Sequence, residues 1–70
     1  MDRKNIDSSM LRSIGYDAES STLELEFNGG VVWQYFDFPE SLWYEFEAAA
    51  SQGKFFLSEI KNQYSESRVG

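Results

Sequence analysis

The sequence predicts an α+β fold: a three-stranded antiparallel β-meander followed by two short α-helices packed on one face. Three observations carry that expectation. Residues 22–27 alternate strictly between polar and apolar side chains, Asn28-Gly29-Gly30 separates two strand-like runs, and beyond Pro39 the apolar period lengthens from two residues to between three and four.

The elements follow in chain order. Residues 1–7 (MDRKNID) hold one aliphatic side chain past Met1, Ile6, and are expected to fray, as are residues 65–70 (SESRVG); the domain proper is expected over residues 8–64. Met10 to Tyr16 reads as the first strand. Its alternation is imperfect, because Leu11 is out of phase with Ile14 and Tyr16 and Gly15 interrupts the run; a bulge or a later start accounts for both. Asp17-Ala18-Glu19-Ser20-Ser21 is rich in turn formers. Thr22 to Phe27 is the second strand, with Leu23, Leu25 and Phe27 on one face and Thr22, Glu24 and Glu26 on a charged, solvated one. Asn28-Gly29-Gly30 tolerates positive φ and predicts a tight hairpin into the third strand, Val31 to Phe36. Trp33 and Tyr35 share one face of that strand and Gln34 and Phe36 the other.

After Pro39, Leu42, Phe46 and Ala49 fall at helical spacing, with Trp43 and Ala50 widening the stripe and Glu45 and Glu47 opposite. Asp37 and Glu40 have capping-box spacing, Pro39 suits the first turn, and Gly53 suits a left-handed stop. A second helix, about Lys54 to Tyr64, aligns Phe56, Ile60 and Tyr64, with Lys54 and Lys61 on another face. The expected core is Leu23, Leu25, Phe27, Leu42, Phe46, Phe56 and Ile60.

A chain of 70 residues forms one domain near the lower size limit for independent folding. It contains neither cysteine nor histidine, so packing must do what disulfides or a structural metal do in other small domains, and aromatic residues at 17% of the chain supply the means. The lack of cysteine, of an apolar export segment and of any run long enough to span a bilayer leads to a cytoplasmic expectation, with no membrane partner. A net charge of −6 disfavours general attraction to phosphate backbones.

The catalytic inventory is thin. Without histidine or cysteine, a serine has no ready activating base, and a chain of this size has little volume for a cleft between paired carboxylates. Asp17, Glu19 and Ser21 share the alternate spacing of a calcium loop, but Thr22 stands where that loop needs glycine and Asn28 where it needs glutamate, so no metal is expected. Asn28-Gly29-Gly30 leads into a strand rather than a helix and is no phosphate loop. No cofactor is expected, and the chain is read as non-enzymatic.

Several features occur in a specific order: Ser8-Ser9 leading into Ile14-Gly15-Tyr16-Asp17, the aromatic-x-aromatic centre Trp33-Gln34-Tyr35, the Phe38-Pro39 step, and Ser51-x-Gly53 followed by Phe56, Ile60 and Tyr64. In this order the chain resembles the KTSC domain, a small domain found at the C-terminus of some lysyl-tRNA synthetases and as stand-alone bacterial proteins. The resemblance implies a β-meander with a helical pair, and it brings with it the suggestion of RNA binding made for the family. The family's centre is usually Tyr-x-Tyr; Trp33 keeps the ring here and replaces a phenol with an indole N–H.

Two binding readings follow. An RNA surface would set Trp33 and Tyr35, or Phe36, beside Arg12 on a neighbouring strand and Lys54, Lys61 and Arg68 near the helical end, stacking bases while cations track phosphates. The competing reading packs Trp33 and Tyr35 beneath the helices as core. A protein surface, whether for another protein or a second copy of the chain, would use a sheet edge or the adjacent pair Trp43 and Tyr44, which cannot both face one core. Because the net charge opposes phosphate, a protein partner is placed ahead of RNA.

Overall fold

In the computed structural model, which describes residues 1–70, the fold is α+β with a five-stranded antiparallel sheet in place of the expected three strands. In chain order β1 (Lys4–Asn5), β2 (Leu11–Asp17), β3 (Thr22–Phe27) and β4 (Val32–Tyr35) lie side by side. The chain then leaves for α1 (Glu40–Ala48) and α2 (Gln52–Phe55), continues through a π-helical turn (Phe56–Ile60), and returns as β5 (Glu66–Arg68) beside β4. The two terminal segments expected to fray each supply an edge strand. Their stabilisation is backbone pairing to β2 and β4, for example Ile6 N–H to Arg12 O at 3.0 Å and Phe36 N–H to Ser65 O at 2.9 Å, and such pairing leaves no apolar pattern in the sequence.

The irregular first strand resolves as a late start with a bulge. Leu11 pairs with Phe27 and Ser13 with Glu26, so Arg12 is the extra residue. The bulge shifts the phase by one and brings Leu11 onto the same face as Ile14 and Tyr16, where Leu11 and Ile14 are fully buried. Asp17 closes the following turn by accepting hydrogen bonds from the Glu19 N–H (3.1 Å) and the Ser20 hydroxyl (2.8 Å). Gly29 and Gly30 take φ of 106° and 96° in the hairpin, as their position predicts.

The helices behave differently from expectation at their ends. Pro39 is the N-cap of α1 rather than a first-turn residue, and no side chain caps it; Asp37 has φ of 57° and is turned out of capping geometry. Gly53 does not stop α1. It lies buried within α2, whose N-cap is Ser51, the hydroxyl accepting from the Lys54 N–H at 3.2 Å. The second helix ends at Ile60, and Tyr64 packs on Phe38 from beyond it, with ring centroids 5.0 Å apart. A Cβ on Gly53 would meet Ser8 Oγ at 3.5 Å and Met10 Cβ at 3.6 Å, which is ordinary contact. Gly53→Ala is therefore expected to stabilise the fold, by up to about 1 kcal/mol from helix propensity; a lower midpoint in a urea melt would contradict this placement.

The core lies between the sheet and the helices. Leu11, Ile14, Leu23, Leu25 and Tyr35 from the strands meet Phe46, Phe56 and Ile60 from the helical layer, with Phe38 filling the corner between β4 and α1. Phe27 and Leu42, expected inside, are half-buried against it. The Tyr16 hydroxyl donates to the Phe38 carbonyl, tying β2 to the approach to α1. Lys4 reaches Glu47 at 2.9 Å, linking edge strand β1 to α1.

Candidate functional site

The registers decide which way the central rings face. Tyr35 pairs with Leu23 and Trp33 with Leu25, so both rings lie on the helix side of the sheet. Tyr35 is buried, edge-on to Phe56 at 5.9 Å, and Trp33 is half-buried against the same core. Phe36, the other ring considered, lies just past β4 and is half-buried. The sheet therefore presents no open aromatic platform built on Trp33 and Tyr35.

Burial, with the Glu66 carboxylate adding to the effect, pushes the Tyr35 hydroxyl from 10.0 up to about 12. The unfolded chain loses this proton first as pH rises. Its contribution to stability is complete below pH 10 and is lost progressively towards pH 12. Urea melts at pH 9 and pH 11 are expected to show a larger fall in stability for the wild type than for Tyr35→Phe, the remainder coming from Tyr44 and Tyr64, whose hydroxyls are raised in the same direction; equal falls in the two proteins would remove Tyr35 as a cause.

The face of the sheet away from the helices is polar and internally paired. Arg3 Nη1 contacts Glu24 Oε2 at 2.6 Å while Gln34 Nε2 donates to the other oxygen at 2.8 Å. Ser13 donates to Glu26 at 2.9 Å, and Arg12, from its bulge, lies 3.7 Å from the same carboxylate. Glu24 is buried rather than solvated as its alternation implied. The reason is the N-terminal segment, which runs over this face at Gly15: a Cβ there would collide with the Asp2 carbonyl oxygen and Arg3 Cγ. Arg3 and Lys4 escaped sequence reasoning because only the pairing of β1 brings them to Glu24 and Glu47.

The remaining candidates sit on the helical layer. Trp43 lies flat on Tyr16, the centroids 5.5 Å apart and the planes 16° from parallel, and it lines the rim of the core. Tyr44 points outward, as one of this adjacent pair must, and remains 59% exposed. Its hydroxyl donates to Glu40 at 3.3 Å. The charge of Glu40 and that hydrogen bond raise the Tyr44 hydroxyl above its ordinary value, with Glu47 contributing in the same direction. Lys54 and Lys61 are exposed on α2 and just past the π-helical turn, without ion-pair partners. Arg12 is on the opposite layer while Arg68, in β5, is aligned with Trp33 on the helix side, so the cations of the RNA surface are not all brought to one face. Of six basic residues, Arg3, Lys4 and Arg12 are held by carboxylates. No three carboxylates converge as metal ligands would, and no helix is long and apolar enough to cross a membrane.

The chain matches the KTSC domain family model over residues 7–64. It is 38% identical over 64 residues to an uncharacterized protein of Stutzerimonas stutzeri, covering 91% of this chain and 90% of that protein. It is also 34% identical over 56 residues to a lysine–tRNA ligase of a Nostoc species, covering 80% of this chain but only 10% of the ligase. The crystal structure of a KTSC domain protein from Yersinia pestis superimposes with a TM-score of 0.93 at 36% identity, covering 99% of this chain and 97% of the other.

Proposed function

This chain belongs to the KTSC domain family, and from that premise we propose that it acts as a non-catalytic protein-binding module whose contact surface is the outer face of α1. The observation that carries this reading is the disposition of rings against charge. Trp33 and Tyr35 are turned into the core, while the exposed ring, Tyr44, stands beside the carboxylate of Glu40, which accepts its hydroxyl hydrogen bond. A phosphate backbone is repelled there; a lysine or arginine of a partner protein can lie over the ring with a carboxylate at its rim.

The test is a photo-crosslinking amino acid placed at position 44, with position 28 in the β3–β4 turn as a control. A protein adduct from position 44 and none from position 28 is expected. Tyr44→Ala should weaken binding of the captured partner by about 10- to 100-fold. Adducts of equal yield from both positions would defeat the assignment.

A second reading, tRNA binding, is favoured by the occurrence of a similar segment in lysine–tRNA ligases, and Lys54, Lys61 and Arg68 are the cations without carboxylate partners that could serve it. NMR titration of the labelled domain with tRNA at low salt separates the two readings. Shifts at Lys54 and Lys61 that fade as salt rises would support RNA and displace the protein reading.

A further inference from the structure

Independently of the α1 surface, we propose that the free edge of β5 pairs with the β5 edge of a second copy of this chain, joining two five-stranded sheets across a two-fold axis at Ser67.

The two edges of the sheet differ. At one edge β1 is two residues long, and the preceding residues turn across the polar face at Gly15, so little strand is offered. At the other, β5 is three residues long and exposed throughout. Phe36 N–H bonds to Ser65 O and Val69 N–H to Val32 O. In an antiparallel ladder the bonding residues alternate, so 65, 67 and 69 face β4 and the N–H and C=O groups of Glu66 and Arg68 point away from the sheet. Two donors and two acceptors thus stand in a row at the edge, a template for one more antiparallel strand.

The side chains select which strand. Glu66 is aligned with Tyr35 and Arg68 with Trp33, so both project on the helix side. Neither has an ion-pair partner within the chain. Arg68 Nε donates to Gly70 O at 3.0 Å, which leaves its terminal nitrogens available. When two copies pair antiparallel about Ser67, each Glu66 falls opposite the partner's Arg68, and four backbone hydrogen bonds form from the outward groups. Sliding the register by two residues sets Glu66 against Glu66 or Arg68 against Arg68. The same charges that guard the edge against other strands therefore specify one self-complementary register.

An interface built on so short a strand is small, below the roughly 1,200 Å² of stable complexes, and a weak, concentration-dependent dimer is expected. In sedimentation equilibrium near 0.15 M salt, where charges beyond roughly 8 Å are screened, the wild-type chain should associate between micromolar and millimolar concentration. Across the same range hydrogen exchange at the Glu66 and Arg68 amides should slow several-fold, while that at Ser67, already directed at β4, should not change. Glu66→Arg and Arg68→Glu, each checked for an intact fold by its amide spectrum, should each remain monomeric alone. An equimolar mixture of the two should associate, because every pair across the axis is then again of opposite sign. The proposal is overturned if the wild-type chain stays monomeric to millimolar concentration, or if it associates without protecting those two amides. It is equally overturned if the mixed variants fail to pair, or if only a foreign strand, and not a second copy, protects the edge.

Discussion

Phe38→Ala is expected to remove most of the stability of this domain, lowering it by about 3 to 5 kcal/mol. A folded chain of this length has roughly 4 to 10 kcal/mol in all, so the variant should be partly unfolded at room temperature. The ring is fully buried and meets Tyr16 and Tyr64 edge-on, at centroid distances of 6.1 and 5.0 Å. Its backbone is engaged on both sides, the N–H donating to Ser21 O at 2.9 Å and the carbonyl accepting from the Tyr16 hydroxyl. Truncation leaves a cavity at the corner where β2, the 18–21 turn and the start of α1 meet. Phe38→Leu, which keeps much of the volume, should cost less than about 1.5 kcal/mol. Urea denaturation followed by circular dichroism measures both. Equal midpoints for the alanine and leucine variants would refute the cavity argument.

Gly15→Val is expected to have the second largest effect, and a local one: detachment of β1. The added Cβ is directed at the Asp2 carbonyl oxygen and at Arg3 Cγ, which it would meet at 2.9 Å. Backbone at this spot cannot yield without shifting the strand. The result should be loss of the Arg3 contact with Glu24 and of the bond from Ile6 N–H to Arg12 O, with an overall cost of about 1 to 3 kcal/mol. Hydrogen exchange distinguishes this from global destabilisation. The Ile6 amide should lose protection well before the amides of Leu23 and Leu25 in the central strand do. Protection lost uniformly across the sheet would show instead that Gly15 matters to the core as a whole.

Gly15 also illustrates where sequence reading stops. An interior glycine in a strand implies either a bulge or a close approach of other backbone, and the pattern alone does not choose between them. Here the bulge is at Arg12 and Gly15 serves the approach. Gly53 is a similar case: its place after an amphipathic run matches a helix stop, yet the Ser51 hydroxyl starts a new helix there instead. The orientation of Trp33 and Tyr35 was open in the sequence between core and RNA platform, and the register that pairs them with Leu23 and Leu25 turns both to the helix side. The candidate surface on α1 was legible only as a constraint, that Trp43 and Tyr44 cannot share a stripe; which of them turns outward depends on Tyr16 lying under Trp43.

By itself the sequence determined the central hairpin, the amphipathic α1, most of the core and the family. The first three are encoded in local periodicity or in turn residues such as Asn28-Gly29-Gly30, while the family rests on a resemblance in the order of its motifs. The tertiary structure alone decided the two edge strands, the burial of Glu24 beneath Arg3, and the outward row of backbone groups on β5. These depend on hydrogen bonds and ion pairs between residues far apart in the chain, which require no apolar pattern in the segments that make them.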